Sequence, residues 1–501
     1  MKTIAYSLII AYVILMVCCF FFGTHRRVRK YFIGFIYLIT IVYTICIGIY
    51  FANAVQGASP DESAHIAYIY YLNETKEIIP QYEDMHIFSD VIMKWSEEPN
   101  YEYQTYLINY LCHPPLYYHI MRLAGGFTPT ESDVVITIDK MRLRYFSMGI
   151  YTIGLILLLY IGWSRINREK PWLHLLYATA ATSIPMIGYE LCGVTNDALT
   201  LITASLCILG LIRFCEGKRN YLTYALIATG ITASLLTKLT TAMLCIFMAM
   251  IVLIVTIVKE KSIKGSLRLE FFITFPIYFF AIAYYAIIYN RYGTIHPSLE
   301  LISSAEYFKN TMYYINEADR VRYTLSEYLS YYFDRFFLSW SGIESTYRFL
   351  KTYTYSLTAI PYEILWLMPV LLFLPHAKKI AGTLTLPLIA GWVSLILTFI
   401  YQLKSAYGTY LTRGYLGGFA SRYYIPFMPI FGLCMIVVFQ SLLTDNGFDP
   451  LTDTTTIKDN VRSYYIRLLY NQLIYVLTLI FGFLLFYGNL PFFLLHYAPT
   501  L

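Results

Sequence analysis

The sequence predicts an all-helical polytopic membrane protein, with about twelve transmembrane helices and amphipathic helices in two long extracytoplasmic segments. Three observations carry this prediction. Hydrophobic residues make up 58% of the 501 and charged residues only 14%, where a soluble chain has roughly 45–50% and about a quarter. Apolar stretches of membrane-crossing length recur along the chain, and basic residues cluster in every second connection between them. The composition excludes a soluble enzyme, a disordered chain and a disulfide scaffold. With 51 Tyr and 33 Phe, the chain also has many rings to place at the two membrane interfaces.

The spans fall near 4–23, 31–52, 145–163, 172–190, 198–214, 221–236, 241–258, 269–289, 361–375, 381–401, 423–443 and 467–487. Those at 221–236 and 361–375 are short. Backbone polar groups find no water in hydrocarbon, so helices are the spanning element. Arg26, Arg27, Arg29 and Lys30 follow the first span, Arg165, Arg168 and Lys170 the third, and Arg213, Lys218 and Arg219 the fifth. The seventh is followed by Lys259, Lys261, Lys264 and Arg268, the ninth by Lys378 and Lys379, and the eleventh by Lys458, Arg462 and Arg467. The positive-inside rule makes these connections cytoplasmic. The first apolar run precedes its basic cluster and lacks a small-residue cleavage site, so it reads as an anchor rather than a signal peptide.

The prediction is one membrane domain over 1–501. An extra anchor helix and basic loop occupy 1–30, long outer segments 53–144 and 290–360, a third outer segment 402–422, and a cytoplasmic loop 444–466. Outer segments of such length usually have a task, and the spacing of Ile66, Ile69 and Leu72 predicts an amphipathic helix on the membrane surface. Cys18, Cys19, Cys46, Cys207, Cys245 and Cys434 lie inside apolar runs, so no disulfide framework or metal ribbon is indicated. No inverted repeat of the transporter kind is visible.

Five outer motifs combine chemistry with a simpler structural reading. In Ser59-Pro60-Asp61-Glu62-Ser63-Ala64-His65, Ser59 and Glu62 have capping-box spacing and Pro60 suits a first helical position. Asp61 and His65 are also one turn apart on one face. A carboxylate there can serve as a general base, or Asp61, Glu62 and His65 can offer ligands to a divalent metal. His113-Pro114-Pro115-Leu116-Tyr117-Tyr118-His119 reads as an interfacial anchor or as part of a pocket. Gly193-Val194-Thr195-Asn196-Asp197 reads as a turn and helix cap, with Glu190 one turn before it. Lys238, in an otherwise uncharged hairpin, either snorkels to headgroups or is a functional charge close to hydrocarbon. Arg422, in Ser421-Arg422-Tyr423-Tyr424-Ile425-Pro426, and Arg144 add outer cations against the positive-inside bias. Such cations ask for an anion, and arginine suits phosphate. No cytoplasmic connection carries a Gly-rich phosphate loop.

In this order, Pro60-Asp61-Glu62-Ser63-Ala64-His65, His113-Pro114-Pro115-Leu116-Tyr117-Tyr118, Val194-Thr195-Asn196-Asp197-Ala198, Leu236-Thr237-Lys238 and Ser421-Arg422-Tyr423-Tyr424-Ile425-Pro426 resemble the integral-membrane glycosyltransferases of the GT-C class. That class includes protein O-mannosyltransferases and lipid A aminoarabinose transferases. The resemblance covers roughly residues 31–443 and is nearest to a bacterial branch with a Pro-Asp-Glu-x-x-His loop. It implies a polyprenyl-phosphate sugar donor used on the outer face of a bacterial cell membrane. The acceptor would be a hydroxyl of a glycan, lipid or protein, and transfer would invert the anomeric carbon. Asp61 would be the base and Glu62 would orient Asp61 or the acceptor. Lys238, Arg422, Tyr423 and Arg144 would hold the lipid phosphate, and His65, His113, Tyr117, Asn196 and Asp197 would shape the sugar and acceptor pocket. The resemblance establishes no cofactor, is compatible with a divalent metal, and implies no nucleic-acid partner. The sequence departs from the class in its extra first span, in Ser421 where a Gly usually precedes the Arg-Tyr pair, and in lacking the large C-terminal domain of some relatives. The rival readings are a polysaccharide polymerase or ligase and a lipid-linked oligosaccharide flippase or transporter; the latter predicts charges in mid-span.

Overall fold

The computed structural model describes residues 2–23, 26–54, 61–88, 100–129, 135–340, 362–443 and 461–496. Its frame is a helical bundle that enters the membrane through two long apolar helices, α1 (Lys2–Gly23) and α2 (Arg26–Ala54). Nine helices among the described residues are long and apolar enough to cross a membrane, and each overlaps a predicted span. The protein is therefore a multi-pass, predominantly helical membrane protein. The two spans predicted as short are the shorter apolar helices Tyr221–Leu235 and Tyr362–Phe373. The fourth predicted span, 172–190, is broken. Its halves are separated at Ser183 and Ile184, because Pro185 has no N–H to donate and starts a new helix.

Outside the membrane end of α2 the chain forms α3 (Glu62–Thr75), and after Pro115 the short α4 (Leu116–Met121). Between and after them lies a small antiparallel sheet of β1 (His86–Phe88), β2 (Asn100–Ile108), β3 (Phe127–Pro129) and β4 (Val135–Ile138), in the order β1-β2-β4-β3. The helix-only reading of this outer segment missed the sheet. It also put α3 on the membrane surface, whereas Ile66, Ile69 and Leu72 are buried together with His65, Ala67 and Tyr68. Small alanines and polar-tipped rings on the remaining faces let α3 be enclosed on nearly every side. The amphipathic reading does describe Leu325–Ser339, which opens with a Thr324–Glu327 capping box and buries Tyr328, Tyr332 and Phe336.

The centre of the bundle is α5 (Lys140–Arg165), α6 (Pro171–Thr182), α7 (Pro185–Cys192), α8 (Asp197–Cys215), α9 (Tyr221–Leu235) and α10 (Leu239–Glu260). Helix α5 starts where Asp139 accepts the Arg142 backbone N–H at 2.9 Å. Helix α8 runs between α5 and α9, and glycines set the spacing. A Cβ on Gly154 would lie 2.8 Å from Leu201 Cβ, and one on Gly230 only 2.5 Å from the Cys207 backbone nitrogen. Close approach of this kind drives helix association in lipid. It fixes the position of α8, whose first residue is Asp197.

Candidate functional site

Asp61 sits at the entry to α3 with φ 61° and ψ 13°, the left-handed region that Asp and Asn tolerate better than most residues. In that conformation its side chain makes no capping hydrogen bond. The carboxylate is turned instead into the bundle mouth, where Oδ1 accepts the Tyr110 hydroxyl at 2.5 Å and Oδ2 accepts Arg422 Nη2 at 2.9 Å. Ser59 and Pro60, the other half of the expected cap, lie outside the described residues.

Arg422 enters from a 3₁₀ stretch, Ser421–Phe427, that opens the helix Met428–Leu443. Its guanidinium touches three acids: Asp61, Glu190 at 3.9 Å from Nη1, and Asp197 at 3.7 Å from Nε. Lys238, in the hairpin between α9 and α10, meets Asp197 at 2.5 Å and lies 4.4 Å from the centre of the Tyr423 ring. Only 5% of Lys238 is exposed; the expectation of snorkelling to headgroups is replaced by a buried ion pair. Segments from 61, 190–197, 238 and 422 thus meet in one cluster of three carboxylates and two cations. Asp61 is its open edge, with 32% of the side chain accessible against 11% for Arg422. Burial pushes the Asp61 carboxyl up, but the Arg422 charge and the Tyr110 hydrogen bond outweigh it and hold the group below the ordinary carboxylate range. Burial and the neighbouring Asp61 push the Tyr110 hydroxyl far up, so it stays a donor.

Glu62 faces elsewhere. Its Oε1 accepts Arg144 Nε at 2.8 Å and the Val194 backbone N–H at 3.0 Å, and its Oε2 lies 2.7 Å from Arg144 Nη2 and 2.9 Å from Lys140 Nζ. Arg144 also donates to the Ala52 carbonyl at 2.7 Å. These bonds tie the end of α2, the start of α3, the start of α5 and the turn before α8. The structure therefore places Glu62 and Arg144 against each other, not beside Asp61 and the phosphate-binding cations as expected. Burial opposes the Glu62 charge, but Arg144 and then Lys140 prevail and lower its pKa.

The remaining expected residues divide in the same way. His65 is buried with Nδ1 2.9 Å from the Tyr118 hydroxyl, and stacks on His113, which in turn stacks on His296, each pair with centroids 6.3 Å apart. Burial lowers the pKa of His65, to about 4, and that of His113, so both are neutral at pH 7. Asn196 donates to the Thr237 carbonyl at 3.2 Å and so anchors the hairpin that carries Lys238. Tyr117 pairs with Ser147 at 2.9 Å, deep in the fold. Asp61, Glu62 and His65 do not converge as metal ligands, because Glu62 and His65 are committed to Arg144 and Tyr118. Among the described residues no group of three or more His, Cys, Asp or Glu could hold a metal ion. The sequence reading missed Tyr110, one of 51 tyrosines with nothing to mark it. It named Glu190 only as a neighbour, although an acid inside an apolar run is a signal in itself.

No family model matches the sequence, and no curated protein matches it. Among solved structures, the chain is similar to the crystal structure of ArnT from Cupriavidus metallidurans in the apo state. The TM-score is 0.44 and the identity 12%, over 91% of this chain and 77% of that one.

Proposed function

We propose that this protein is a GT-C type glycosyltransferase that moves a sugar from a polyprenyl-phosphate donor to an acceptor hydroxyl on the outer face of a cell membrane. The observation that carries the reading is the convergence of Asp61, Lys238, Asp197 and Arg422, from distant segments, at one mouth of the bundle. An amphiphilic donor suits that place: its tail lies among apolar helices while its phosphate meets Arg422 and Lys238.

In the proposed reaction Asp61 accepts the proton of the acceptor hydroxyl as that oxygen attacks the anomeric carbon. The bond from that carbon to the phosphate oxygen breaks, and its electron pair leaves with the polyprenyl phosphate. Arg422 and Lys238 stabilise the leaving charge, which is the term that preorganised cations in a water-poor site supply best. With inversion, the acceptor arrives opposite the phosphate, on the exposed side of Asp61. Its ion pair with Arg422 makes Asp61 a weak base before the donor binds. A phosphate that competes for the guanidinium loosens this pair and raises the proton affinity of Asp61, so donor binding precedes base catalysis.

The test is transfer by purified protein in nanodiscs, with decaprenyl-phosphate sugars supplied, together with mass spectrometry of lipids that copurify. A polyprenyl-phosphate sugar bound to the wild type and turned over by it is the expected result. Absence of any such lipid and of turnover across the donor panel overturns the reading.

A further inference from the structure

Glu190 has no role in the reaction as written, yet it is the least satisfied polar group at the site. It is 1% exposed, and neither carboxyl oxygen has a hydrogen-bond partner; its nearest cation is Arg422 Nη1 at 3.9 Å. Arg422 has the complementary deficit, since its Nε and Nη1 are buried without a hydrogen-bond partner. Buried polar groups left unpaired cost free energy and are few in native proteins. Here acceptors without donors lie beside donors without acceptors. A ligand that completes both must bring acceptor oxygens to Arg422 and O–H groups to Glu190, within a few ångströms of each other. A fully ionised bare phosphate supplies only the first set. A sugar joined to a phosphate supplies both.

Resting on the glycosyltransferase reading, we propose that Glu190 is the specificity-determining residue for the donor sugar. It would accept hydrogen bonds from hydroxyls on the ring attached to the phosphate that Arg422 and Lys238 hold. The position fits: α7 ends at Cys192, and the turn that follows leads to Asp197 on the far side of the same guanidinium. Glu190 therefore reads the sugar, while the cations read the phosphate. This predicts a preference for sugar-bearing lipid over bare lipid phosphate that one substitution removes.

The experiment compares binding of decaprenyl phosphate with binding of its mannosyl, glucosyl, galactosyl and arabinosyl esters, to wild type, Glu190→Ala and Glu190→Gln in nanodiscs. In the wild type at least one ester binds tighter than the bare lipid phosphate. In Glu190→Ala that preference falls by about tenfold or more, the scale of an unmet buried acceptor. The alanine variant binds bare decaprenyl phosphate at least as well as wild type, which also reports that it is folded. Glu190→Gln, which keeps one accepting oxygen, falls between the two. A wild type with no preference for any ester, or a preference that survives in Glu190→Ala, overturns the assignment. Loss of ester and bare-lipid binding together in Glu190→Ala also overturns it, since Glu190 would then serve the phosphate site. If wild type binds none of these lipids, the glycosyltransferase reading itself fails, and that outcome is distinct from the others.

Discussion

Two neighbouring acids, Asp61 and Glu62, head two ion clusters of opposite design. Around Glu62 both carboxylate oxygens are engaged: the group, 3% exposed, takes an arginine fork, a lysine and a backbone N–H. Around Asp61 one edge is open, and Glu190 and Arg422 keep atoms without hydrogen-bond partners. A saturated buried cluster is a tie between elements. An unsaturated one with an open edge fits the donor site proposed here. The comparison teaches that conspicuous residue types did not separate the two, since both clusters contain an acid next to outer cations. Saturation separates them.

The largest effect that would sharpen this contrast is on turnover. Asp61→Asn should lower transfer by about 10²–10⁴-fold, measured as product formed per enzyme, with the unfolding midpoint moved by no more than a few degrees. Asparagine tolerates the left-handed backbone at this position, so the change is a clean removal of charge. Near-wild-type turnover would break the distinction from the catalytic side.

Next in size is the converse. Glu62→Gln leaves Arg144 and Lys140 buried without their anion, and should cost about 3–5 kcal/mol of stability. The readout is a fall in the detergent unfolding midpoint and in folded yield, the reverse of the Asp61 result. A stable Glu62→Gln protein that had lost only activity would move Glu62 into the working site.

Lys238→Ala should raise the apparent donor KM by about tenfold, in line with loss of one charged hydrogen bond, while kcat changes less. Donor titration separates the two constants. An unchanged KM would assign Lys238 to structure, through Asp197 alone.

The smallest effect concerns pH. His65 titrates near 4 in the folded protein against about 6.5 unfolded. The unfolded chain binds the extra proton between those values, so this contribution is complete above about 6.5 and lost as pH falls toward 4. The unfolding midpoint should therefore drop by several degrees from pH 7 to pH 4.5. His65→Gln should flatten that slope without altering it above pH 7; an unchanged slope would remove His65 from the account.

Much of the scaffold was legible because its signals are local. A run of apolar residues long enough to cross hydrocarbon must be a helix wherever it sits. That is why the described spans overlap the predicted ones, and why the two short ones were recognised as short. The outer sheet and the enclosure of α3 were illegible, because strand pairing and burial depend on what lies above and below. The same limit applied to the site. Asp61, Lys238, Asp197 and Arg422 were visible as charges out of place in an apolar chain, but Tyr110 and Glu190 acquire meaning only from their neighbours.

By itself, then, the sequence determined the membrane class, the spans and the set of charges between them, all of which follow from hydropathy and residue type read along the chain. The tertiary structure decided which charge meets which. Asp61 and Glu62 are consecutive, yet their arginines lie 361 and 82 positions away. The left-handed backbone at Asp61 aims its carboxylate at the mouth, while the first turn of α3 aims Glu62 at α5. An electrostatic partner is chosen by distance in space and by the donors already engaged, and neither quantity is written in the order of residues.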